Sequence, residues 1–157
     1  MTCKLNDKSY FNCQQSLIVQ QQLQSNLLEE NKALVKSFIE EVFNKHNSNA
    51  ADKYLGQGAE RFRKISNSYF SAFPDLHVNI EHVVAEDDFV LVFLNWAGTQ
   101  KGEFQGMPPT NKPVNMRSAD LYRIQNGLIV EHWDVVDSLD LLKQTGAITF
   151  NDKSMKQ

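Results

Sequence analysis

The stretch at residues 102–137 constrains the fold of this chain more than any other. It reads GEFQGMPPTNKPVNMRSADLYRIQNGLIVEHWDVVD, a Gly/Pro-rich loop followed by two strand-like segments that meet at Asn126-Gly127. An Asn-Gly pair between two alternating apolar segments is a strong signal for a β-hairpin. The two segments carry Asp, His and Trp side chains, so we expect an active site, if the protein has one, on this hairpin.

The register of the hairpin decides which of these side chains share a face. A two-residue turn at Asn126-Gly127 would pair Gln125 with Leu128. Because side chains alternate along a strand, this register would place Asp120 and Asp134 on opposite faces of the sheet.

A three-residue loop is the second possibility, and it would pair Ile124 with Leu128 through a bulge. It would also leave Arg123 and Glu131 diagonal to each other on one face, where opposite charges attract. We prefer this register. It places four polar side chains on a common face: Asp120, Tyr122, His132 and Asp134.

The composition is that of an ordinary globular domain. The 157 residues are 41% hydrophobic and carry a net charge of -3, with a pI near 5.8, which argues against nucleic-acid binding. No apolar run approaches the roughly 18 residues of a membrane span, and the N-terminus lacks the apolar core of a signal peptide. We therefore expect no membrane partner and a cytoplasmic location.

Cys3 and Cys13 lack metal-ligand spacing, so we expect free thiols and neither a metal nor another cofactor.

The periodicity along the chain predicts helices first and strands afterwards. We interpret residues 1–28 as a Gln-rich leader, poorly structured or helical, residues 29–150 as the folded domain and residues 151–157 as a tail. Helical spacing of apolar residues predicts helices at 29–45, 50–55 and 59–73. Strand-like segments follow at residues 77–86, 89–99, 114–124 and 128–136, before a short helix at 139–143. This order predicts an α+β fold, with N-terminal helices packed on a curved antiparallel sheet that encloses a pocket.

Four segments of the chain resemble a known family. They are NKALVKSFIEEVFNKHN, FPDLHVNIEHVVAEDDFVLV, GTQKGEFQGMPPTNKPV and DLYRIQNGLIVEHWDVVD, and they look like the SnoaL-like polyketide cyclases of the nuclear-transport-factor-two-like superfamily. The most specific parts are the GxPPT loop at residues 106–110 and the EHWD run at residues 131–134. The resemblance extends over about residues 31–148. It implies a cystatin-like α+β cone that commonly dimerises through the open face of its sheet.

The resemblance also implies a catalyst. In cyclases of this type a single Asp near the end of the last strand is the acid/base group for an intramolecular aldol closure, and the matching residue is Asp134. A His on the preceding strand assists in the cyclases, but Asp120 stands at that position here. The segment HNSNAADKYLGQG, residues 46–58, is shorter than its counterpart in relatives, which predicts that one wall of the pocket is missing.

The residue types on the hairpin suit acid/base chemistry. Two carboxylates on one face of an apolar cavity can remove a proton from a carbon next to a carbonyl, so we assign the catalytic role to Asp134 and Asp120 and expect Asp134 to be buried. The oxyanion formed needs a hydrogen-bond donor, which His132, Tyr122 or a protonated Asp120 could supply. We expect five side chains to bind the ligand: His132, Tyr122, Trp96, Phe104 and Met107.

Three functions from different classes remain open. The first is a cofactor-independent cyclase or isomerase that performs aldol cyclisation or isomerisation of a small hydrophobic, polyketide-like carbonyl compound. The second is a ligand-binding relative without turnover, which the short segment at residues 46–58 favours. The third is a protein-interaction module, which the leader favours. We also expect a homodimer through the outer sheet face. Strands that are apolar on both sides have to be buried on both faces, and the helices of one chain can cover only one of them.

Overall fold

A computed structural model of the chain describes residues 7–149, with side chains described from residue 12. The first helix, α1, spans Asp7–Ile39 and continues as a π-helical turn at Glu40–Asn44. A 3₁₀ turn at Ser48–Ala50 leads into the helices α2 (Ala51–Tyr54) and α3 (Ala59–Ala72). Four strands and a last helix follow: β1 His77–Glu86, β2 Phe89–Thr99, β3 Pro113–Gln125, β4 Leu128–Val136 and α4 Ser138–Thr145.

The four strands form one antiparallel sheet in which each strand pairs with the next along the chain. Every second residue of β3 from Val114 to Ile124 is buried, because alternate side chains of a strand lie on the same face. This inner face shares its core with α1, which contributes Val35, Phe38 and Ile39. The predicted α+β fold, with helices packed on a curved antiparallel sheet, is confirmed.

The leader is helical from Asp7 onward and belongs to α1, so no break separates it from the predicted domain at residue 29. Five of the large apolar side chains between residues 12 and 28 are exposed: Leu17, Ile18, Val19, Leu23 and Leu27. Residues 1–6 and the predicted tail at 151–157 lie outside the described residues. None of the helices between residues 7 and 149 is both long enough and apolar enough to span a membrane.

The β3–β4 hairpin combines the two registers that the sequence left open. Its turn has two residues, Asn126 (φ 52°) and Gly127 (φ 73°), and pairs Gln125 with Leu128, so the preferred three-residue loop is wrong. The register then shifts beyond Ile124, because Val130 lies in a bulge without a partner on β3. Because of this extra residue, the β4 side chains after Val130 lie on the opposite face of the sheet from the one that regular pairing would give them. As a result three pairs lie directly opposite each other: Arg123 with Glu131, Tyr122 with His132 and Asp120 with Asp134.

The expectation of free thiols is wrong for Cys13, which is disulfide-bonded. Cys3 lies outside the described residues. A disulfide depends on a separation of about 4.4–6.8 Å between Cα atoms, which the spacing of two cysteines along a chain does not reveal.

Candidate active site

A cavity of about 290 Å³ opens between α3 and the inner face of the sheet. Its volume is close to the lower end of the range for small-molecule pockets. Helix α3 contributes Arg61, Phe62, Ile65 and Tyr69 to the lining. The sheet contributes the polar side chains that the sequence singled out, so the structure brings these together in one cavity: Asp120, Tyr122, His132 and Asp134.

The short segment before α3 closes one side of this cavity. Leu55 forms a parallel bridge with Ile129 on the free edge of β4, and the Gly56 N–H donates to the Ile129 carbonyl at 3.0 Å. Leu55, Gln57 and Gly58 all line the cavity. The expectation of a missing wall is therefore wrong, because a single bridge at Leu55 holds this short segment against the edge of β4, where it closes the cavity.

Asp120 lies at the floor of the cavity and accepts hydrogen bonds from three side chains. The residue is 4% exposed. Ser118 Oγ donates to Oδ1 at 2.5 Å, and the Tyr122 hydroxyl donates to Oδ2 at 3.3 Å. His132 Nε2 lies 3.1 Å from the same Oδ2. Trp96 Nε1 extends the network by donating to Ser118 Oγ at 2.9 Å.

This network leaves Asp120 and Tyr122 little capacity to bind a ligand. Burial, reinforced by the charge of Asp120, raises the pKa of the Tyr122 phenol well above its ordinary value. The phenol therefore stays protonated and acts as the hydrogen-bond donor to Asp120. The imidazole of His132 stacks on the Tyr122 ring, with centroids 4.6 Å apart. Since Nε2 faces Asp120, Nδ1 is the nitrogen of His132 left for a ligand.

Asp134 lies directly across from Asp120 on β4 but is exposed, so the expectation that it is buried is wrong. Within residues 12–149 its carboxylate has no hydrogen-bond or ion-pair partner. The position explains the exposure, because β4 is the edge strand of the sheet within residues 7–149. Asp134 also lines an adjoining cavity of about 300 Å³, together with Tyr69, Phe104 and Val136. The carboxylate therefore lies where two cavities meet.

Tyr69 is a polar side chain of the cavity that the sequence analysis missed. It belongs to the helical aromatic stripe of α3, whose spacing indicates core packing and does not distinguish a cavity wall from a core. Burial, followed by the charges of Asp134 and Asp120, raises the pKa of its phenol. Its hydroxyl has no partner within residues 12–149, so it is a protonated donor close to Asp134 that remains available to a ligand.

The remaining predicted ligand contacts divide into two groups. Trp96 is 8% exposed and lines the cavity, where it holds Ser118. Phe104 lines only the adjoining cavity. Met107 lines neither, and its Sδ lies 3.8 Å from the Thr145 hydroxyl. Phe104 and Met107 therefore lie outside the lining of the main cavity, and their role in ligand binding stays a prediction.

Gln100 explains why the GMPPT loop lies away from the main cavity. This fully buried residue donates from Nε2 to the Pro108 carbonyl at 3.2 Å and accepts from the Thr110 hydroxyl at 2.7 Å. A Cβ at Gly102 would lie 2.3 Å from the Ser71 carbonyl oxygen, so only glycine allows the loop to pass this close to α3. The loop is therefore anchored beside the end of α3.

Solved structures share this architecture. TsrD from Streptomyces laurentii superposes with a TM-score of 0.71 at 24% identity, over 76% of this chain and 97% of that chain. AclR from Streptomyces galilaeus, a candidate hydroxylase, gives 0.72 at 26% identity, over 80% and 87%. A candidate polyketide cyclase from Acidithiobacillus ferrooxidans gives 0.69 at 23% identity, over 76% and 96%. Among curated proteins, none matches the chain.

The family comparison covers most of the chain. The sequence model of the SnoaL-like polyketide cyclases matches residues 18–145, which include part of the leader helix and every strand. The match thus begins before residue 29, inside α1. The chain belongs to the SnoaL-like polyketide cyclase family.

Proposed function

We propose that this protein catalyses the intramolecular aldol cyclisation, or the isomerisation, of a small hydrophobic carbonyl compound by acid/base chemistry. The observation that carries the proposal is the position of Asp134, whose unpartnered carboxylate lies in a mostly apolar cavity opposite a fully hydrogen-bonded Asp120. A base must be free to accept a proton from its substrate, and Asp134 meets that requirement.

The proposed reaction uses Asp134 as the base. Its carboxylate takes a proton from the carbon next to a carbonyl, and the resulting enolate carbon attacks a second carbonyl of the same molecule. The new carbon–carbon bond leaves an alkoxide on the second carbonyl, which takes up a proton. In an isomerisation the proton returns to another carbon of the enolate instead.

The donors for the oxyanion are Tyr69 and His132 in this proposal. The Tyr69 phenol stays protonated because burial and the nearby carboxylates raise its pKa. Because Nε2–H of His132 donates to Asp120, Nδ1 donates to the oxyanion only in the doubly protonated form of the ring. Tyr122 and Asp120, which the sequence suggested as donor and catalyst, take the role of holding His132.

Proton exchange on 2-tetralone tests the assignment of the base. This bicyclic ketone has acidic C–H bonds between its carbonyl and its aromatic ring, and their exchange in D₂O is followed by NMR. We expect the protein to accelerate exchange. Asp134→Asn keeps the size of the side chain but removes the base, and should lower the catalysed rate by about two to four orders of magnitude.

Asp87→Asn is the matched control for this experiment. Asp87 is an exposed turn residue outside the cavity, and its left-handed backbone (φ 51°) accommodates Asn readily. The control should exchange 2-tetralone as fast as the natural chain. Equal rates in the Asp134→Asn and Asp87→Asn variants would exclude Asp134 as the base.

A ligand-binding function without turnover is the second candidate. It is favoured by the exposure of Asp134, because solvent around a carboxylate weakens it as a base toward carbon acids. In that case 2-tetralone binds to the cavity, yet its exchange rate stays at the rate in buffer for every variant. The protein-interaction reading of the leader stays a prediction.

We also propose that the protein is a homodimer through the outer face of its sheet. Two cross-strand rows of this face consist largely of apolar residues: Val84, Leu91, Leu121 and Trp133, and Phe93, Ala119 and Val135. Val135 is 77% exposed in the single chain. Sedimentation should give a dimer at micromolar concentration and a monomer for Val135→Lys, whereas Leu139→Lys on α4 should stay dimeric. A natural chain that sediments as a monomer would contradict the proposal.

A further inference from the structure

Arg61 is a charged residue of the main cavity that has no counterion among the described residues. It lies in the first turn of α3, beside Phe62, and both side chains line the cavity. Within residues 12–149 the guanidinium makes neither an ion pair nor a hydrogen bond. Asp134 lines the same cavity, yet the two side chains do not form a salt bridge.

The other basic side chains around Arg61 are already neutralised. Arg63 pairs with Asp52, and Lys64 pairs with Glu60 at 2.8 Å. Glu131 also lines the cavity, but the Arg123 guanidinium holds its carboxylate, with Nε 2.8 Å from Oε2. Arg61 is thus the basic side chain in the cavity lining that no described acid neutralises.

We propose that Arg61 binds a carboxylate on the ligand, so that the substrates of this protein are hydrophobic carbonyl compounds that also carry an acid group. A guanidinium presents a planar fork of N–H donors that matches a carboxylate, and the side chain of Arg61 is exposed, so these donors are accessible to a ligand. The description of the ligand as a substrate rests on the proposed function.

The same charges orient the ligand within the cavity. The negative charge of Asp134 repels an anion, so the ligand's carboxylate is drawn to the α3 side and away from the proposed base. The apolar body then lies between Phe62 and Ile65 of α3 and Trp96 of the sheet, all of which line the cavity. This orientation leaves the uncharged carbonyl part of the ligand beside Asp134 and Tyr69.

A pair of matched probes tests this assignment by binding alone. The probes are 2-naphthoate and its methyl ester, which share one bicyclic body and differ in charge. Binding is followed by the indole N–H signals of the two tryptophans in ¹H–¹⁵N NMR spectra, because Trp96 lines the cavity and Trp133 is exposed on the outer sheet face. A Trp133→Phe variant assigns the two signals.

We expect 2-naphthoate to shift the Trp96 signal and to bind about tenfold more tightly than the methyl ester. Arg61→Gln should remove this preference and leave the affinity for the ester unchanged. Lys64→Gln, on the same helix but outside the cavity, should keep the preference. Asp134→Asn should strengthen the binding of 2-naphthoate, since it removes the repelling charge.

Three results would overturn the proposal: equal affinities for acid and ester in the natural chain, an undiminished preference in Arg61→Gln, or shifts of Trp133 in place of Trp96. None of these readouts depends on turnover. If the exchange experiment excludes Asp134 as the base while naphthoate binding still depends on Arg61, the acid-binding site stands and the proposed catalysis fails.

Discussion

The floor and the rim of the cavity carry the same chemical group in opposite surroundings. At the floor, Asp120 is buried and accepts hydrogen bonds from Ser118, Tyr122 and His132. At the rim, Asp134 is exposed and has no partner within residues 12–149. Buried polar groups have to be hydrogen-bonded within the protein. A group that acts on a ligand, in contrast, has to keep its oxygen atoms available to accept a hydrogen bond or a proton from that ligand. The comparison therefore separates a structural carboxylate from one that is available for chemistry.

The largest expected difference between floor and rim is in stability. Asp120→Ala leaves Ser118, Tyr122 and His132 without their acceptor and should lower the free energy of unfolding by about 3 kcal/mol. Asp134→Ala removes an exposed group and should change it by less than about 0.5 kcal/mol. Urea denaturation of both variants measures the two values. Equal losses would show that the floor and the rim do not differ in this way.

The next difference is in activity and concerns the phenol of Tyr69 at the rim. Tyr69→Phe removes the free donor and should lower the catalysed exchange of 2-tetralone by about a hundredfold, without unfolding the protein. Tyr54→Phe is the control, because Tyr54 is buried outside the cavity. A Tyr69→Phe variant as active as Tyr54→Phe would place the oxyanion donor elsewhere, with His132 as the remaining candidate.

The smallest expected effect is a dependence of stability on alkaline pH. The pKa of Tyr122 is raised in the folded state, chiefly by burial, so the folded chain holds this proton at pH values where the unfolded chain has lost it. The resulting stabilisation is fully present below the ordinary tyrosine pKa of about 10 and is lost as the pH rises toward the folded-state pKa.

Tyr122→Phe should therefore flatten the fall in stability above about pH 10, at a cost of about 1 kcal/mol near neutral pH for the lost hydrogen bond. Tyr69→Phe should flatten it less, because the rim is more solvated. Urea midpoints measured from pH 7 to pH 11 compare the two variants. A larger effect at Tyr69 than at Tyr122 would reverse the assignment of floor and rim.

Much of the local structure follows from short-range patterns. The bounds predicted for β1, β2 and β4 agree with the structure, because alternation of apolar residues and turn signals such as Asn126-Gly127 act over a few residues. Helix α3 ends before Pro74 as predicted, since proline disfavours helical backbone at the preceding residue. The family resemblance is confirmed over residues 18–145.

The bulge at Val130 shows where such patterns are insufficient. Neither register inferred from the turn included a bulge at Val130, and this bulge allows a two-residue turn to coexist with Asp120 and Asp134 on one face. A bulge interrupts the regular ladder, so its position depends on what the strand contacts on both sides. Here the same part of β4 pairs with β3 on one side and, at Ile129, with Leu55 on the other.

The sequence by itself determined the α+β class, the strands and the residue types at the site, because periodicity and turn chemistry depend on neighbours along the chain. Only the tertiary structure decided that Asp120 is enclosed and Asp134 exposed, and that Tyr69 and Arg61 of α3 join them. Burial and hydrogen bonding depend on which elements pack together, and along the chain β1 and β2 lie between α3 and the β3–β4 hairpin. The same carboxylate therefore acquires a structural or an available role through its position in the fold.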